Sequence, residues 1–441
     1  MMTQKQRLDT AQWVMAQARK AGAQGSAVNL SSYREVEVEI REGRIDKLQE
    51  SVSRNLDLRL FVDGRYSSHS TSKLDKAALT SFIHNAVDLT RFLTEDPFRR
   101  LPEKELSQLE HATDLQILDP AYHQLDSTRR IETARAAEAA ARSHSGPILS
   151  ISSNCSDTLE ERTSLNSAGF HGEHAATYFS LSCETTVKDG DKGRPEGSSY
   201  ASTRFLGALP APEQLGKESV ERALQRIGQG KQPSGAYDLV IENRVASRML
   251  RALLAPMSAQ ALQQKNSFLD GKLEQAIAGR GLTIVDDPLL PRGLASRHHD
   301  GEGIASRRRT LVEKGILKAY LLDNYYSRKL KLKPTGGQFS NLLLEGGSGS
   351  LQNLLAAMGR GVLITSFNGG NSNSATGDFS LGVSGMLVES GQVVRPVNEM
   401  NLTGNLLEFW ARLEAMAADP YPYSSWRLPS MLFRGTQLSG S

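Results

Sequence analysis

Residues 296–310 read SRHHDGEGIASRRRT, with two adjacent histidines, two acids and a run of three arginines. Imidazoles and carboxylates are zinc ligands, but zinc needs three or four of them converging on one ion. With nine histidines in the whole chain, such a pair raises a metal site, a phosphate clamp or a charged turn as readings. A second group, His171, Glu173 and His174 in GFHGEHAATY, raises the metal question again. Its competing reading is a turn between two strands with the imidazoles in solvent. Cys155 and Cys183 could each supply a nucleophile beside a histidine. A small thiol buried in a sheet is the commoner role. The glycine-rich runs LLLEGGSGSL and FNGGNSNSATGDFSLGVSG lack the lysine that completes a phosphate-cradling loop. They suit bulges or the close approach of another backbone. Arg307, Arg308 and Arg309 on a strand would alternate between faces, which leaves solvated arginines and no basic patch. No His-Glu-x-x-His occurs in the chain, and no histidine stands between His174 and His298. The commonest helix-borne zinc peptidase site is therefore excluded.

Any chemistry must be positioned by a fold that 441 residues can build, too many for one ordinary core. Two domains are expected, 1–228 and 229–441. A hydrophobic content of 39% and a charged content of 23% describe a soluble globular protein. The formal net charge of +3 gives no case for nucleic acid. No apolar run approaches the roughly 18 residues that a membrane span needs. Two cysteines cannot form a disulfide framework, so a reducing cytoplasm is expected.

The first segment reads as a helix capped by Asp9 or Thr10, with Ala11, Val14, Met15 and Ala18 on one face and Gly22 at its end. The period then becomes two, through Val36, Val38 and Ile40 and again through Leu56, Leu58, Leu60 and Val62. Glu42-Gly43 and Asp63-Gly64 close these strands as hairpins. Helical periods return over 73–94 and 128–142, and short Ser/Thr-rich strands over 147–208, with KDGDKGRPEGSS as a polar turn. GQGKQPSGAYD (228–238) reads as a linker. A strand at Leu239–Ile241 follows, then a helix over 244–256 that Pro256 should end or kink. Further hairpins are expected at Lys314-Gly315 and Ser390-Gly391, with one short helix between them from Ser350 to Gly359. These elements make an α+β protein: an N-terminal α/β domain of hairpin strands and helices, and a C-terminal, mostly antiparallel β domain.

The run DGEGIASRRRTLVEKGILKAYLLDNYYSRKLKLKPTGG resembles the TldD/PmbA family, PmbA being also called TldE and once described as a modulator of DNA gyrase. The resemblance is carried by Asp300, Glu302, Gly303, Arg309, Gly315, Leu317, Tyr326, Ser327, Lys329, Leu330, Thr335 and Gly336. It continues through Thr376-Gly377-Asp378-Phe379-Ser380 and Thr403-Gly404-Asn405, and covers nearly the whole chain, most strongly 296–410. TldD-type members carry His-Glu-x-x-x-His on a helix of the second domain, completed by a later cysteine. Here the corresponding stretch reads RVASRMLRALLAP, and the late DPYPYSSWRLPSM has no cysteine. This is the PmbA/TldE pattern.

The resemblance implies a metal-free, non-catalytic subunit of a cytoplasmic TldD/TldE-type metallopeptidase. No cofactor is expected in this chain, the zinc residing in a TldD-like partner, and the substrate would be an unfolded or extended peptide. It makes His298 and His299 variable positions before a shared turn of Asp300 and Glu302, served by Gly301 and Gly303. Interface or channel contacts are expected at Asp300, Glu302, Gly377, Asp378 and Asn405. Two alternatives stand beside it: a stand-alone binding homodimer without hydrolysis, and a divergent hydrolase using Cys155 or Cys183.

Overall fold

The computed structural model describes residues 1–109, 113–191 and 193–440. In the first half, α1 (Gln4–Lys20), β1 (Gly25–Arg41), β2 (Arg44–Val62), β3 (Arg65–Thr71) and α2 (Lys76–Arg91) lead to α3 (Ser127–Arg142). Next come β4 (Ile148–Asn166), β5 (His171–Val187), β6 (Glu196–Thr203) and α4 (Pro212–Leu224). The second half opens with β7 (Gly235–Ile241), α5 (Ser247–Leu254), α6 (Ala259–Gln263), β8 (Thr283–Asp286), β9 (Arg309–Glu313), β10 (Ile316–Leu317) and α7 (Asn324–Leu330). It continues through β11 (Leu342–Glu345), α8 (Leu351–Met358), β12 (Gly361–Phe367), β13 (Asn371–Ser372), β14 (Asp378–Glu389) and β15 (Gln392–Asn405). The last elements are α9 (Leu406–Ala411), β16 (Leu413–Met416), β17 (Trp426–Arg427) and β18 (Met431–Ser439).

The first six strands form one antiparallel sheet in the order β3-β2-β1-β4-β5-β6. The alternation read from the sequence sorts its faces. Val36, Val38, Ile40, Leu56, Leu58, Leu60 and Val62 are all buried. Toward β2 this apolar face packs on α1 and α2, and toward β6 it packs on α3 and α4. The opposite face is polar across four strands. Glu39 stands opposite Asn154, Asn154 opposite Ser182 and Ser182 opposite Tyr200. The expected turns at Glu42-Gly43, Asp63-Gly64, Lys314-Gly315 and Ser390-Gly391 all have positive φ at both central residues, the geometry that matches strand twist.

The second half holds a five-stranded sheet, β10-β9-β8-β11-β17, and a seven-stranded one. In the latter β12 pairs with both β7 and β14, so β7, β18, β15, β14 and β12 close into a ring. Helix α5 buries Met249, Leu250, Leu253 and Leu254 completely, within the main core of this half. Pro256 ends it in a 3₁₀ turn, as its missing N–H dictates. The glycine runs serve close packing. A Cβ at Gly385 or Gly347 would collide with the backbone carbonyl of Leu363 or Ala417.

Four expectations are corrected. The first helix starts at Gln4, capped by Thr3 in a capping box with Gln6, because that pair satisfies the free amides before Asp9 is reached. Residues 148–187 are two long strands of 19 and 17 residues, not several short ones. The linker ends before Gly235, where β7 begins. Lys192 of the expected polar turn lies outside the described residues. Arg309, finally, is not a solvated arginine. It pairs with Asp286 at 2.8 Å and donates to the carbonyls of Thr335, Gly336 and Gln338.

Candidate functional site

The histidine groups divide in an unexpected way. His171 and His174 sit in the first turn of alternation of β5, not in a turn, and His171 bonds to Glu173 at 2.8 Å. His174 is half-buried, and burial with nearby Arg162 and Arg204 pushes its pKa down to about 3, so it is neutral at pH 7. His298 and His299 donate from Nε2 to the carbonyls of Thr113 and Ser107, at 2.8 and 3.0 Å. They lash the segment before α3 to the second half. Both thiols are buried, and burial pushes the pKa of Cys155 up to about 12 and of Cys183 up to about 11. Neither is poised as a nucleophile.

Asp300 and Glu302 share one tight turn. Asp300 Oδ1 accepts from the amides of Glu302 and Ile304, at 2.9 and 3.0 Å. Gly303 takes the positive φ there, while Gly301 does not need it. Glu302 Oε2 accepts from the Asn324 amide at the start of α7, and Asn324 Nδ2 donates to the Arg100 carbonyl. Arg59 of β2 donates to the Gly301 carbonyl. The pair thus braces the two halves of the chain against each other.

That brace is pH-sensitive. Burial, helped by Asp300 and Asp323, raises the Glu302 carboxyl from 4.5 to about 7. Between these values the folded chain keeps a proton that the unfolded chain has lost, so stability from this group falls as pH rises through that window. Thermal melts at pH 5 and pH 8 should show this loss, at most about 3 kcal/mol, and Glu302→Gln should flatten it. An unchanged slope in the variant would contradict the assignment.

Gly377, Asp378 and Asn405 form a separate turn in which Asp378 is exposed, Asn405 half-buried and Gly377 buried. Asn405 Nδ2 donates to the Thr376 carbonyl and to Asp378 Oδ1, at 2.9 and 3.1 Å, and Gly377 has φ +84°. Among the described residues no hydrogen bond or ion pair joins this turn to Asp300 or Glu302.

The sequence reading missed the cleft between the halves, about 570 Å³ in volume. One wall is charged and polar, from Glu184, Ser198 and Tyr200 of the sheet, from Arg222 of α4 and from Arg226 in the turn after it. The other is apolar, from Leu351, Leu355, Leu363 and Met386. At its base Arg222 grips Glu242 with two bonds of 2.8 and 2.7 Å, joining α4 to the β7–α5 junction. Arg244 pairs with Glu218 and lies 4.8 Å over the Tyr421 ring. Asn243 donates to the Asp419 carbonyl at 2.6 Å, and its amide to Ser430 Oγ. Tyr421 donates to the Tyr200 carbonyl. A signal was present, since Glu218 and Arg222 lie four residues apart and so share one face of α4, with Arg226 following just past its end.

The chain thus joins an antiparallel sheet under four helices, through a cleft, to a ring-closed β domain. Three family models match in order: PmbA/TldA metallopeptidase domain 1 over residues 27–90, the central domain over 122–227 and the C-terminal domain over 234–440. The chain belongs to the PmbA/TldD family. It is 29% identical over 420 residues to the metalloprotease PmbA of Escherichia coli O157:H7, covering 94% of this chain and 92% of that one. A solved structure from Bacteroides thetaiotaomicron, described as a modulator of DNA gyrase, is 38% identical and superposes with a TM-score of 0.97 over the full length of both chains. TldE from Thermococcus kodakarensis shares the fold, with a TM-score of 0.87 at 19% identity over 98% of this chain and all of that one.

The family's name implies a metal, and the residues present do not fit one. The two segments that carry the ligands in TldD-type members, by the resemblance above, do meet here. Their meeting place is filled by Arg244 on Tyr421 and by Asn243 on Asp419 and Ser430. A guanidinium is always charged and offers no lone pair to a cation. Among the described residues no group of three or more His, Cys, Asp or Glu is placed to hold a metal ion. Nor, among them, is any helix long and apolar enough to cross a membrane.

Proposed function

We propose that this chain is the metal-free, non-catalytic subunit of a cytoplasmic TldD/TldE-type peptidase pair that acts on unfolded or extended peptides. The observation that supports this reading is the β7–α5 junction, where Arg244 stacks on Tyr421 and pairs with Glu218, so that a cation rather than a lone-pair donor stands there. The cleft beside it keeps the volume of a ligand site, with one polar and one apolar wall. A partner bearing His-Glu-x-x-x-His supplies the zinc and the hydrolytic water, and this chain supplies the second wall of the peptide channel. The turn of Gly377, Asp378 and Asn405 is a contact for that partner, with the exposed Asp378 carboxylate, held by Asn405, at the surface.

Metal content tests the reading. After incubation with excess zinc and desalting, emission spectrometry should find far less than one zinc per chain. A value near one, lost on replacing His298 and His299 by Ala, would overturn it.

A further inference from the structure

We propose that the cleft contains a carboxylate-binding subsite centred on Arg226, which holds a peptide by one free carboxylate beside an apolar side chain. This rests on the peptide reading of the cleft given above. Three guanidiniums line the cleft. Arg222 is neutralised by Glu242 and Arg244 by Glu218. Arg226 has neutral partners instead, donating to the Glu196 carbonyl at 2.9 Å and to Ser384 Oγ at 3.2 Å. Among the described residues no carboxylate makes a hydrogen bond or ion pair with it, and the Glu196 charge acts on it only at longer range.

Its position is fixed. Ser384 is 1% exposed and itself accepts from Asn368 Nδ2 at 3.1 Å. Two bonds leave three of the five guanidinium N–H donors, in the planar fork that matches a carboxylate. Charge-assisted bonds of this kind are about twice as strong as neutral ones, so a half-buried, unpaired guanidinium gains most from an anionic ligand. Facing it, Leu351, Leu355 and Met386 offer an apolar wall, extended by Val393, 46% exposed at the cleft. Glu184 and Glu196, exposed on the polar wall, would repel a second acid. The subsite therefore accepts a single carboxylate and rejects a polyacidic stretch.

The carboxylate could be a chain terminus or an Asp or Glu side chain, and the test separates the two. A fluorescein-labelled, unfolded Gly/Ser peptide ending in two leucines is titrated into the full chain, followed by anisotropy. It is used as the free acid, as the C-terminal amide, and as the amide with one internal Asp or Asn. The free acid should bind about ten- to a hundredfold more tightly than the amide, the value of a charged hydrogen bond. Recovery with Asp but not Asn would show that a side-chain carboxylate also serves, and no recovery that the terminus alone is read. Arg226→Gln should abolish the difference between acid and amide, and Arg226→Lys should keep part of it, with thermal melts confirming both folds. Equal binding of acid and amide by the wild-type chain, or a difference that survives in Arg226→Gln, overturns the subsite alone. No binding of any peptide overturns the peptide reading of the cleft along with it.

Discussion

Asp157→Ala is expected to cost this chain about 3–5 kcal/mol of stability, the usual penalty for stranding a buried charge. Asp157 on β4 holds Arg130 of α3 with two bonds, at 2.5 and 3.0 Å, and the two side chains are 1% and 2% exposed. Arg130 has one other bond, to the Leu125 carbonyl at 2.9 Å. Removing the carboxylate leaves a buried guanidinium without its counter-charge. The double variant Arg130→Met, Asp157→Leu should recover most of the loss, because both charges go together and the volume is kept. Urea unfolding followed by circular dichroism, with the two single variants and the double, measures this directly. A single variant within about 1 kcal/mol of wild type would mean that solvent reaches the pair, contrary to its burial.

The same pair shows what the sequence could and could not disclose. Helix α3 was legible from its alanine-rich helical period, and β4 partly so from its Ser/Thr-rich strands. Nothing local says that Arg130 faces Asp157, which follows only when α3 packs on the sheet. The hairpins were legible because an X-Gly pair at each turn answers a backbone requirement settled within four residues. The long β4–β5 hairpin was not, because the strands flanking its Ala168-Gly169 turn carry few apolar residues, one face being polar from Ser152 to Ser164. Cys155 and Cys183 are buried in apolar clusters against α3 and α4, where a small thiol in a strand is expected to lie.

The site divides along the same line. Asp300-Gly-Glu302-Gly303 was legible as a turn because its bonds run between residues two and four apart. What that turn braces was hidden, since Asn324 and Arg59 are distant in sequence. The cleft was hidden for the same reason. Tyr200, Arg222, Glu242 and Tyr421 belong to four separate elements and meet only through tertiary packing. The lack of histidine in the α5 region was plain in the sequence, but the stacking of Arg244 on Tyr421 beside it was a matter of geometry.

The central claim is that catalysis requires a second, metal-bearing chain. A zinc-bound hydroxide needs a ligand set that the junction of Asn243, Arg244 and Tyr421 does not offer, whereas a peptide channel needs walls that a polar sheet and an apolar cleft do offer. On the proposed reading, this chain alone should release peptide more slowly than the pair by about 10⁶-fold or more, the scale that separates enzymes from their uncatalysed reactions. The deciding measurement is peptide release from an unfolded substrate by this chain alone, by a TldD-type homologue carrying His-Glu-x-x-x-His alone, and by the two mixed after co-elution on size exclusion. No release by this chain, with chelator-sensitive release by the co-eluting pair, is the predicted result. Chelator-sensitive release by this chain alone, or failure of the two to associate at micromolar concentration, would contradict it.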